Sequence, residues 1–308
     1  MAEGLQGVQI SGAARREELV RAAQVAREAE VRQSANGVRF ATFGETGVPA
    51  PDLDRMLEAV PSAIGAALGA NTYYFVPLAL RESAEPGEPE GFAKKASQSP
   101  EHAMVARAWS DELGESAICH RNVELGSGHR GVFISTRLMG DRFALSFEFF
   151  INVAHAFVDA AGVPQSFAEL VWQQALEGVR GETSLDAWES RNLALGREPN
   201  AHIDEPRRRN TSFTAKARPF AGGEATPQTV APRTIDEKER GLFLESAFSD
   251  ALAIYLLSLA LDFDYSELRE REYPLLAPAA LAARLRAVGE MFPPNPGYQF
   301  SIRYRRRA

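Results

Sequence analysis

Apolar and polar positions divide the chain into stretches with distinct periods. Residues 12–33 carry Leu19, Ala22, Ala23 and Ala26 at three- and four-residue steps among strong helix formers, which predicts a helix. Residues 37–43 (GVRFATF) alternate like a short strand. Residues 51–70 read as one or two short helices broken at Pro61, and 72–80 (TYYFVPLAL) as an aromatic strand whose Pro77 suggests an edge or a bulge. Residues 82–91 are polar and rich in Pro and Gly, which predicts a loop; 99–113 fit a helix. Residues 122–125 and 131–136 read as strands around the turn Gly126-Ser127-Gly128. Helices are expected at 141–161, 165–179, 184–195, 234–261 and 278–291, with a closing strand at 298–304. Strands are few and separated, so the class is α+β and helix-dominant, with a small mixed sheet. The polar loop at 82–91 also suggests a boundary, between an N-terminal helix/strand region, 1–95, and a helical core, 96–308. That core carries a proline-rich stretch at 197–235, expected to be a long mobile loop.

The sharpest signal is residues 144–162. At about 100° per residue, Glu148, Asn152, His155 and Asp159 fall within an arc of roughly 60°. Phenylalanines and aliphatic residues fill the rest of the circumference. Such a helix is buried on most sides, and its polar stripe needs a partner, a cleft or a window of solvent. Three readings stay open: a hydrogen-bonded packing network, a catalytic cleft, and a surface stripe. The residue types suit chemistry, since a carboxylate can orient a histidine for general base work or metal ligation. Glu148, His155 and Asp159 are therefore the candidate catalytic residues.

Composition narrows the partners. The 308 residues are 45% hydrophobic and 24% charged, as expected of a soluble globular chain, and the net charge is -7. An acidic chain does not fit nucleic-acid binding. The runs Arg207–Arg209 and Arg305–Arg307 read as a solvated loop and tail, or as contacts to phosphate or an acidic partner. The longest apolar run, Ala251–Leu261, contains Ser258 and is too short to span a membrane, and no secretory signal is expected. With Cys119 as the single cysteine, a reducing cytoplasmic setting is expected. Cys119 and His120, adjacent on a strand, should point to opposite faces and not form a nucleophile pair. Gly126–Gly131 matches G-x-G-x-x-G but precedes a strand, so it reads as a hairpin turn and not a dinucleotide loop.

The run GVFISTRLMGDRFALSFEFFINVAHAFVDAAG resembles the core of zincin-type metallopeptidases, where a strand precedes a long apolar helix bearing His-Glu-x-x-His. The later FLESAFSDALAIYLL (243–257) is similar to the second zincin helix, which supplies the third zinc ligand. By that resemblance His155 falls on the first ligand position, Ala156 replaces the catalytic glutamate, and Asp159 replaces the second histidine. Ser246 falls on the third ligand position with Glu245 beside it. The resemblance implies a zincin-like core with a degenerate metal site. Its expected role is a binding or scaffolding module that takes a protein or peptide partner in a remnant cleft, with no cofactor. The alternative is an active, metal-assisted hydrolase using Glu148, His155 and Asp159, with zinc held by His155, Asp159 and Glu245.

Overall fold

The computed structural model describes residues 19–81, 103–198, 235–268 and 273–303. The loop expected at 82–91, the break near residue 95 and nearly all of the loop expected at 197–235 lie outside them. The chain forms two compact units. The first comprises residues up to Gly162, Ala251–Phe263 and those from Leu285 onward; the second comprises Val163–Asp250 and Asp264–Arg284.

The first unit is built on a five-stranded mixed sheet. Its strands are β2 (Arg32–Gln33), β3 (Arg39–Thr42), β4 (Asn71–Val76), β8 (His120–Gly126) and β9 (His129–Ser135), in the order β2-β3-β4-β9-β8. β3, β4 and β9 are parallel, with Phe40 opposite Tyr73 and Tyr73 opposite Val132; β2 and β8 flank them antiparallel. Helices α2 (Ala50–Glu58) and α3 (Ser62–Ala67), separated at Pro61, connect β3 to β4 as the sequence predicts. The hairpin turn between β8 and β9 is also as predicted: Gly126, Ser127 and Gly128 all have positive φ.

Alternation along β4 sets the packing. Tyr74 and Val76 join the cluster containing Val20, Val25, Val105 and Phe133, with the Tyr74 and Phe133 rings stacked 4.6 Å apart. Tyr73 and Phe75 take the opposite face, where Phe149 of helix α5 (Arg142–Ala161) meets both rings, at 5.1 and 5.7 Å. The α5 helix starts where Asp141 accepts a hydrogen bond from Ala144 N (2.8 Å) and stops at Gly162, φ 73°.

Pro77 does not mark a sheet edge. It ends β4, the central strand, because it has no N–H to continue the ladder. The next residues, β5 (Leu78–Leu80), enter a separate antiparallel sheet of β1 (Leu19–Arg21), β6 (Met104–Ala106), β5 and β7 (Ala117–Ile118), in the order β1-β6-β5-β7. Two expected helices shrink because of this second sheet. Of 12–33 only α1 (Ala22–Glu28) is helical within the described residues, and of 99–113 only α4 (Asp111–Gly114). Pairing of Leu19 with Ala106 and of Ala79 with Val105 draws the flanking residues into strands, overriding local propensity. Residues 298–303 form no strand. Their alternation reflects docking: the Phe300 ring packs edge-on against Tyr255 at 5.1 Å, and Tyr298 Oη donates to Arg55 O at 2.9 Å. Nearby, Asn295 clasps the α2–α3 corner. Its Nδ2 donates to Glu58 O (2.8 Å) and Val60 O (2.7 Å), and its Oδ1 accepts from Ser62 N and Oγ.

The second unit contains α6 (Gln165–Leu176), α7 (Leu185–Ala194) and a 3-10 turn (Tyr265–Leu268), with the early turns of α8 (Glu237–Ala260) and α9 (Pro278–Met291). Phe167 meets Phe248 edge-to-face at 4.9 Å, and Arg240 lies 4.7 Å over the Trp172 ring. Helices α5 and α8 are long and apolar enough to cross a membrane, but 50% and 67% of their apolar windows are already buried in the protein. The chain is α+β and helix-dominant.

Candidate functional site

The α5 stripe lies along the β8–β9 hairpin. Glu148 Oε1 is 2.5 Å from His120 Nδ1 on β8, and Asn152 Nδ2 donates to the same oxygen at 3.1 Å. One end of the stripe is thus a half-buried carboxylate–imidazole pair, in which Nε2 of His120 has no partner among the described residues. At the other end Asp159 Oδ2 accepts from Arg130 Nη1 of β9 at 2.8 Å, and Arg130 also reaches Glu124 at 3.3 Å. The hydrogen bond to Asp159 is the main influence holding the Arg130 pKa above its ordinary value. His155 is exposed, while Ala156, on the zincin glutamate position, is buried. Glu148 and Asp159 are therefore engaged with the hairpin, through His120 and Arg130.

The candidate metal ligands do not form a visible set. His155 and Asp159 occupy successive turns of α5, and Glu245 is exposed on the part of α8 that belongs to the second unit. Among the described residues no group of three His, Cys, Asp or Glu side chains is arranged to hold a metal ion.

The second unit holds the most buried charges. Glu182 is fully buried and bridges two guanidinium groups, Arg191 Nη1 at 2.9 Å and Arg284 Nη1 at 2.8 Å. Arg284 Nε also donates to Gln174 Oε1 (2.8 Å), and Arg191 to Gly181 O (2.8 Å) and Val179 O (2.6 Å). Gly181, φ 79°, makes this possible, since a Cβ there would strike the Leu275 carbonyl of the paired segment. Beside this cluster Asp250 accepts from Thr183 Oγ1 at 2.8 Å. Burial pushes the Asp250 carboxyl up to about 6, and the Glu182 charge adds to that; hydrogen bonds from Ser184 and Thr183 and the Arg284 charge oppose it. The Glu182 carboxylate is shared between the two guanidiniums, which suits a structural role, while Arg191 Nε and the nearby Tyr265 Oη are buried with no hydrogen-bond partner among the described residues.

A third place is open. In the first unit a cleft of about 410 Å³ lies where the parallel strands end. Its walls come from Thr46–Pro49 after β3, Thr136 and Arg137 after β9, the first turn of α5, and Trp109. Thr136 Oγ1 ties the strand ends together, 2.7 Å from Thr46 O and 3.0 Å from Val76 O. The Arg137 guanidinium has no hydrogen-bond or ion-pair partner among the described residues. Trp109 is 40% exposed.

His120 pairs with Glu148, 28 residues away, and not with the neighbouring Cys119, so no local spacing marks it. The sequence carries no signal for Arg137 or Trp109, which belong to no motif. No family model matches the chain, and neither a curated protein nor a solved structure matches it.

Proposed function

We propose that the chain is a binding module whose ligand enters the cleft at the carboxyl ends of β3, β4 and β9, and that the α5 stripe fastens helix to hairpin. The supporting observation is how charge is used at the two places. On α5, Glu148 and Asp159 are occupied by His120 and Arg130. In the cleft, Arg137 has no partner among the described residues, and the exposed indole of Trp109 lines the same space. Open α/β sheets gather ligands outside the carboxyl ends of their strands. The volume, about 410 Å³, falls in the small-ligand range of about 300–1,000 Å³. A peptide or protein partner that inserts one terminal group would use the same space. Descent from a zincin that lost its metal site fits this role without being required by it.

Ligand-observed NMR with a fragment library tests the proposal on the wild type and on Val48→Trp, which fills the cleft. Fragments lost in that variant support it. Fragments kept by Val48→Trp and lost in His120→Ala would move the binding region to the stripe and overturn it.

One contact favours a second reading, hydrolysis. Glu148, 2.5 Å from His120 Nδ1, orients the imidazole so that Nε2 could take a proton from water. This keeps Glu148 from the sequence-based set and substitutes His120 for His155. Turnover of activated esters that disappears in both His120→Ala and Glu148→Gln would establish it.

A further inference from the structure

We propose that the cleft selects a carboxylate attached to a flat apolar group, with Arg137 taking the carboxylate and Trp109 the flat face. This ligand class rests on the cleft being the binding region. Arg137 is anchored through its backbone, which donates to Pro77 O at 3.1 Å. Its side chain lies across Gly47, φ 69°, where a Cβ would strike the guanidinium. Glycine at 47 thus leaves the room the guanidinium occupies.

The other charges of the lining are already matched. Arg142 Nη1 pairs with Asp52 Oδ1 at 3.0 Å, and Asp141 caps α5 through Ala144 N. Among the described residues an incoming ligand meets the Arg137 guanidinium fork unopposed, with the carboxylates of Asp52 and Asp141 in the same lining. A planar monoanion satisfies that fork through two parallel hydrogen bonds. A phosphate dianion would bring its second charge towards Asp52 and Asp141.

Trp109 is held in place for stacking. Its Nε1 donates to Asp111 Oδ1 at 3.3 Å, and its ring lies on Gly114, where a Cβ would stand 3.0 Å from the indole. A large aromatic ring that stays 40% exposed while fixed in this way offers ready-made apolar contact.

Trp109 also supplies the readout. The other two tryptophans, Trp172 and Trp188, are only 9% and 5% exposed, so quenching from the cleft reports on Trp109. The probes are phenylacetate, phenylacetamide and phenyl phosphate, with a short peptide ending in phenylalanine as free acid and as amide. Phenylacetate should change the emission saturably, and phenylacetamide should bind about tenfold or more weakly. Arg137→Gln should lose the same factor with an unchanged melting temperature, and Arg137→Lys should fall between, because it keeps the charge and loses the fork. Tighter binding of the free-acid peptide than of phenylacetate would assign the carboxylate to a peptide C-terminus, and equal binding to a small acid. Phenyl phosphate binding more tightly than phenylacetate overturns the ligand class, as does an amide that binds equally well or phenylacetate that does not bind. If acid and amide bind equally and Val48→Trp abolishes both, the ligand class fails and the cleft stands. If both survive Val48→Trp, the cleft fails with it.

Discussion

Two sets of charges, one in each unit, use the same groups under opposite conditions. Along α5, Glu148 meets His120 and Asp159 meets Arg130 at a partly exposed surface, where the Asp159 and Arg130 side chains are 63% and 36% accessible. In the second unit Glu182 meets Arg191 and Arg284 with almost no exposure at any of the three. Exposed pairs are screened by water and salt and contribute about 0–1 kcal/mol. A buried carboxylate between two guanidiniums need not stabilise more than apolar residues would, but losing one member strands the others in a medium that cannot solvate them. The helical pattern points to the first set, while the energetic stakes lie in the second.

The largest effect is expected at Glu182. Glu182→Gln should destabilise the fold by about 3–5 kcal/mol in urea melts, because it leaves two buried guanidiniums without their anion. A change below about 1 kcal/mol would erase the contrast between the units.

Asp250 gives the next largest effect. Its carboxyl is raised from 3.8 to about 6, so the folded state holds the proton more tightly than the unfolded chain does. Stability from this group is therefore full below about pH 4, falls as pH rises towards 6, and stays lost above that. The difference amounts to about 3 kcal/mol at about 1.4 kcal/mol per unit. Asp250→Asn should flatten that slope and leave the protein more stable than wild type at pH 8, as followed by denaturant melts across pH.

Smaller effects belong to the stripe. A double-mutant cycle on Glu148 and His120 should return a coupling of about 1 kcal/mol, sharpened by the 2.5 Å contact and softened by exposure. Asp159→Asn should cost under about 1 kcal/mol, and less at high salt. The smallest change is expected for His155→Ala, within about 0.5 kcal/mol, because the residue is exposed.

What was legible in the sequence follows from how local each cause is. The apolar circumference of 144–162 and the cap at Asp141 identify α5, and Pro278 sits at the start of α9 where a proline is tolerated. The hairpin at Gly126–Gly128 could be read from three residues. The parallel ladder could not, because β3, β4 and β9 pair across long connections that leave no periodic trace. Pro77 carried a true signal, the end of a ladder, but its place between two sheets depended on partners elsewhere. The site residues divide in the same way. The stripe was visible as i, i+4 spacing, whereas its partner His120 lies 28 residues from Glu148. Glu182 gave no signal, because a charge can be buried only where its partners are, and these lie 9 and 102 residues away.

The Asn295 clasp has a consequence for synthesis. Its side chain closes the α2–α3 corner by hydrogen bonds to Glu58 and Val60, positions 237 and 235 residues earlier in the chain. At about 5–20 residues per second, the ribosome reaches Asn295 roughly 10–50 s after making that corner. During that interval the whole second unit is translated, and the nascent first unit lacks the strands of chain that finish it. Such late, long-range closure slows folding and prolongs the exposure of apolar surface. A chaperone bound to the nascent chain would have its longest opportunity on the α2–α3 corner, before the last stretch of polypeptide emerges.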